Sequence, residues 1–115
     1  MSLELEKSMR ILNDLVSFCY YEGGEAFEMG LKHNNTDGFV RIKLTCTIEG
    51  MDADRVDEMR KMLSLPRQAE VEQNYWELSG ETEFGGELSL VGAMSDKAEV
   101  SYEDGVLRVV ILRKE

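Results

Sequence analysis

From Val40 to Ile48, apolar and polar residues alternate without a break: Val40, Ile42, Leu44, Cys46 and Ile48 against Arg41, Lys43, Thr45 and Thr47. A period of two describes a strand with one buried and one wet face. Such a strand demands a sheet beside it and a second layer over its apolar side. Upstream, Phe27, Met29 and Leu31 alternate with Glu28, Gly30 and Lys32. The link His33-Asn34-Asn35-Thr36-Asp37-Gly38 is rich in residues that tolerate positive φ. The two runs predict an antiparallel hairpin with His33 in its turn.

The covering layer is legible as helices. Over residues 3–21, Leu5, Met9, Leu12, Val16 and Cys19 follow a four-three spacing with Leu15 beside them, which predicts a helix with one apolar stripe. On that wheel Asp14 falls on the wet face, and Gly23-Gly24 ends the helix by a left-handed cap. After Glu49-Gly50-Met51, Asp52 caps a second helix running to about Leu63. Val71, Tyr75 and Leu78 are helix-spaced, residues 79–86 read as loop, and Leu88, Val91 and Met94 fit a short helix. A closing hairpin, Ala98–Glu103 and Val106–Arg113, turns through Asp104-Gly105. Its last strand is apolar on both faces, which places it centrally or under cover on both sides. The expected fold is α+β: a single domain over 1–115, a two-layer α/β sandwich with helices on one face of a mixed, mostly antiparallel sheet.

At 115 residues there is length for one real core. The net charge of −10 repels nucleic-acid phosphate at long range, so nucleic acid is not an expected partner. No apolar run reaches membrane-spanning length, and the first residues lack a basic region followed by an apolar stretch. Cytoplasmic residence without membrane contact is the expectation. Cys19 and Cys46 read as reduced core thiols, and with His33 as the only histidine they make a poor zinc or catalytic set. No metal site is expected from them.

Three local motifs carry a resemblance. Ile11-Leu12-Asn13-Asp14-Leu15-Val16-Ser17-Phe18 looks like an aliphatic-N-E-L-x-x-N-A helix. Ile48-Glu49-Gly50-Met51-Asp52-Ala53 sits where a D-x-G-x-G turn would fall, and Gly85-Gly86-Glu87-Leu88-Ser89-Leu90 where a G-x-G-L-G-L turn would fall. In this order they resemble the histidine kinase-like ATPase (GHKL, or Bergerat) family, which includes sensor histidine kinase catalytic domains and anti-sigma-factor kinases. The resemblance implies a nucleotide pocket made by Asp14, Phe18, Glu49, Gly50, Gly85 and Gly86, with Asp14 as the catalytic acid and ATP with magnesium as the ligand. It also implies a cytoplasmic role in bacterial signal transduction.

The copy departs from the pattern at each motif. Phe18 stands where the family places its magnesium-ligating asparagine, and a phenyl ring has no oxygen for a hard cation. Glu49 replaces the adenine-reading aspartate. Glu87 puts a carboxylate at the helix start, where it competes with phosphate. Between Leu65 and Phe84 the only basic residue is Arg67. The expectation is therefore a degenerate domain that binds a protein partner, with weak or no nucleotide binding and no cofactor. An active anti-sigma-factor-type kinase domain is the first alternative, and a structural or interaction domain unrelated to kinases is the second. Tyr75 and Trp76 read equally as a partner patch or as core closure. The stripe on the first helix could also face a twin subunit in a homodimer.

Overall fold

The computed structural model describes residues 3–75 and 88–115. Its elements are α1 (Leu3–Tyr21), β1 (Glu25–Asn34), β2 (Phe39–Thr47), α2 (Ala53–Leu63), α3 (Ala69–Tyr75), α4 (Leu88–Ala93), β3 (Lys97–Glu103) and β4 (Val106–Lys114). The strands form one sheet in the order β1-β2-β4-β3, and every pairing is antiparallel. The helices pack on one face, giving an α+β sandwich of two layers.

Register follows from the alternation. Ile42 lies between Leu31 and Ile111, and Leu44 between Met29 and Val109, so all these side chains point to the helices. The two hairpins use different turns. Asp104 and Gly105 both have positive φ, 52° and 76°, the combination that matches the right-handed twist of the flanking strands. The β1–β2 link is longer, and Asn34 and Asp37 tie it with side-chain bonds to the backbone of Thr36 and Phe39. Because β1 runs on to Asn34, His33 belongs to the strand rather than the turn, and it pairs with Glu115 at 3.0 Å.

β4 is central, between β2 and β3, one of the two placements its apolar faces allow; helices cover only one of those faces, and Val110 and Leu112 on the other are half-buried by their neighbours. One expectation about burial needs correction: α1 is rotated from the predicted stripe. It buries Ser8, Ile11, Leu12, Asp14, Leu15, Phe18 and Cys19, and leaves Leu5 39% and Met9 49% exposed. The cause is width. Ile11 and Phe18 extend the apolar arc beyond the four-three stripe, and the sheet takes the Ile11–Leu15–Phe18 side.

The end of the sheet nearest the chain termini is closed by charge. Arg113 is fully buried on the inner face of β4. It donates to both oxygens of Glu72 at 2.7 and 2.9 Å, to Glu4 at 2.8 Å and to the Met94 carbonyl at 2.8 Å. Lys7 and Arg67 add further bonds to Glu72. Burial alone would raise the Glu72 carboxyl, but the bonds from Arg113, Lys7 and Arg67 outweigh it and hold the pKa at about 2. One carboxylate thus pins α3 to α1 and β4.

Candidate functional site

The six residues of the expected nucleotide pocket fall into three groups. Asp14 and Phe18 lie one turn apart on α1. Asp14 is not on a wet face: it is 1% exposed and accepts from Arg10 Nε at 3.3 Å. Phe18 belongs to the core, and the Arg55 guanidinium sits 5.0 Å from its ring centre. Glu22 holds that guanidinium through both carboxylate oxygens, at 2.7 and 3.0 Å, and Glu58 holds it at 2.7 Å. The space next to Phe18 is therefore taken by a fixed cation of α2 stacked on an aromatic face.

Glu49 and Gly50 follow β2 and are exposed. Gly50 has a φ of +66°, which lets the chain reverse into α2. The reversal is pinned by Tyr102, whose hydroxyl donates to the Ile48 carbonyl and accepts from the Met51 N–H. Asp52, and not Glu49, caps α2 by accepting from the Asp54 N–H at 3.0 Å. Glu49 instead borders a cavity of about 160 Å³ with Glu22, Gly23, Glu25 and Thr47, an acidic setting. Gly85, Gly86, Glu87 and Trp76, with the side chain of Tyr75, lie outside the described residues.

Cys19 and Cys46 are buried and free of disulfide. Burial pushes the Cys19 thiol up, with the neighbouring Cys46 adding to it, and burial raises Cys46 as well. Neither is poised as a nucleophile. Among the described residues no group of histidine, cysteine and acid side chains is arranged to hold a metal ion, and no helix is long and apolar enough to cross a membrane.

A different surface has the character of a site. The sheet face away from the helices is uncovered, and register turns it into a grid. One row reads Lys32, Arg41, Leu112, Lys97; the next reads Gly30, Lys43, Val110, Glu99; the third reads Glu28, Thr45, Arg108, Ser101. Lys114 stands beside Phe39 at the margin. Six of the chain's 13 lysines and arginines thus share one face of an acidic protein, and all six are exposed. Four acids share the face: Glu28 and Glu99 stand within the grid, Glu99 3.5 Å from Lys97, and Glu25 and Glu103 lie at its other end.

The face is also sculpted. Gly30 has no side chain, and open space lies where one would project. A trough of about 260 Å³ follows, bordered by Glu28, Met29, Gly30, Lys43, Thr45 and Arg108. A second hollow of about 220 Å³ is lined by Arg41, Lys97, Glu99, Val110 and Leu112. Each is bordered by two cations, one carboxylate, and aliphatic or small groups. Sequence reasoning missed this site because Arg41 and Lys43 read as an ordinary wet face. Arg108 joins them only once β4 is known to pair with β2, and no local pattern announces that pairing.

Compared with known proteins, the chain matches no family model, no curated protein and no solved structure.

Proposed function

We propose that this chain is a protein-binding domain of the histidine kinase-like ATPase type that has given up nucleotide turnover, and that it docks an acidic segment of a partner protein on the open face of its sheet. The observation that carries the reading is the six-cation grid on a chain of net charge −10. Charge placed against the overall balance, and gathered on one uncovered face, is the pattern of a surface that selects its partner electrostatically. At physiological ionic strength charges beyond about 8 Å are screened, so a short segment lying on the grid responds to the grid more than to the rest of the molecule.

The chemistry of the face favours a polypeptide over nucleic acid. Val110, Leu112 and Thr45 stand among its cations, suited to aliphatic side chains between carboxylates. Base stacking needs exposed rings, and the one aromatic on these rows, Phe39, is half-buried at the margin. A long polyphosphate would also meet the acidic remainder of the protein.

The loss of nucleotide function is supported by Phe18 and Arg55. The residues present do not fit a magnesium triphosphate: the position that would supply an oxygen ligand is a core phenylalanine. The space beside it holds a guanidinium already engaged by Glu22 and Glu58. The test is a titration of the intact protein with a fluorescein-labelled deca-glutamate peptide, followed by anisotropy, alongside calorimetry with ATP and magnesium. Saturable peptide binding, weakened at least about tenfold by R41E/K43E/R108E, with no heat from ATP, is the expected result. Peptide binding that ignores the triple substitution removes the docking face, and micromolar ATP binding removes the degenerate pocket.

A further inference from the structure

Strand β1 is an edge. It pairs with β2 on one side only, and it is ten residues long. Long edges invite pairing with another chain, and proteins usually blunt them with charge, irregularity or cover. The opposite edge, β3, is seven residues long and carries Lys97, Glu99 and Glu103. On β1 the irregularity is confined to its start, where the register shifts between Glu25 and Glu28 and Ala26 takes a φ of 53°. From Glu28 to Asn34 it pairs regularly.

The cover over β1 is incomplete too. α1 packs on β2 and α4. Met29, on the helix side of β1, is 50% exposed, and Leu5, Met9 and Tyr20 of α1 are 39%, 49% and 64% exposed. Leu5, Met9, Val16 and Tyr20 recur at helical spacing along one flank of α1. Leu5 shares a cavity of about 210 Å³ with Leu31 and Val40, which places this flank beside β1. Of the eight large hydrophobic side chains exposed among the described residues, six lie on α1 or β1. Leu5 and Met9, the part of the predicted α1 stripe that the sheet does not take, are thus left uncovered in the monomer.

We propose that a second copy of this chain covers this edge through antiparallel β1–β1 pairing centred on Gly30. The occupant and the register follow from the order Glu28-Met29-Gly30-Leu31-Lys32. With Gly30 opposite itself, Glu28 faces Lys32 of the second copy on the open sheet face, and Met29 faces Leu31 of the second copy on the helix face. Two-fold symmetry makes each pair twice, as an isologous interface requires. Moving the centre to Met29 or Leu31 loses the charge match, and a shift of half a step puts the two helix layers on opposite faces. In the Gly30 register the sheets merge into eight strands, and Leu5, Met9 and Tyr20 of both copies border one shared groove above β1. The basic grids lie side by side on the far face, so a dimer would present two docking troughs together.

Sedimentation velocity of the intact protein over 10–200 µM, as order-of-magnitude loading, tests the proposal against the 13.1 kDa mass of one chain. The wild type sediments at twice that mass. Lys32→Glu sets like charges opposite each other twice and weakens the dimer at least about tenfold. E28K/K32E restores the pairing with its signs exchanged. Far-UV circular dichroism confirms that each variant is folded; both positions are exposed. A monomeric wild type at the highest concentration overturns the proposal. So does a K32E variant that dimerises as well as wild type, or a double variant that stays as weak as K32E.

Discussion

Replacing Glu72 with glutamine keeps the shape of the side chain and removes the one charge that Arg113, Lys7 and Arg67 share. Arg113 is fully buried and would keep Glu4 as its only charged partner, with the Met94 carbonyl and the glutamine oxygen as neutral acceptors. Breaking a buried ion pair from one side costs about 3–5 kcal/mol. Linkage gives an independent figure. A carboxyl held at about 2 in the folded protein against an ordinary 4.5 contributes about 3 kcal/mol at neutral pH. The folded pKa is depressed, so this contribution is fully present above pH 4.5 and is lost as the pH falls towards 2. Urea denaturation followed by far-UV circular dichroism, from pH 7 down to pH 3, reads both effects. E72Q should lose about 3 kcal/mol at pH 7, a fall in Tm on the order of 10–15 °C, and its acid limb should be flatter than that of wild type. Glu70→Gln, exposed on the same helix, should change stability by less than about 0.5 kcal/mol. A loss below about 1 kcal/mol for E72Q with an unchanged acid limb would show that the cations do not depend on Glu72, and the argument for this network would fail.

Two further outcomes follow from packing. At Gly92 a Cβ would meet the Met62 carbonyl oxygen at 2.5 Å and the Leu63 Cα at 3.1 Å, both of them backbone, so Gly92→Ala should destabilise by about 2 kcal/mol in the same urea assay. Cys19 and Cys46 are buried with raised thiol pKa values, so a chromogenic disulfide reagent at neutral pH should label neither in the folded protein and both in urea; rapid labelling in buffer alone would contradict their burial.

The strands of this fold are legible because their pattern is local. Val40–Ile48 announces its two faces by alternation, and Asp104-Gly105 announces a tight hairpin by chemistry. Asp52 and Leu63 mark the limits of α2 closely. What the sequence hides is whatever depends on who pairs with whom. Arg113 reads as the polar end of an apolar strand, yet it is the most deeply held cation in the described structure, because Glu72 is 41 residues away along the chain. Asp14 reads as a solvated charge, yet it is buried beside Arg10, because α1 turns a broader arc to the sheet than its four-three stripe implies. The basic face shares this origin. Arg41 and Lys43 are visible in one strand, but they become a cluster only when Arg108 and Lys97 are brought in by the sheet. Of the expected pocket, Asp14 and Phe18 share a side of α1, with Glu49 and Gly50 at the end of β2.

The most direct measurement is the salt dependence of deca-glutamate binding to the wild-type protein and to R41E/K43E/R108E. Docking on the basic face predicts saturable binding to wild type that weakens steeply between low and physiological salt, and loss of that binding in the triple variant while the protein stays folded. Equal affinity of the two proteins, or no binding to wild type at low salt, would contradict it.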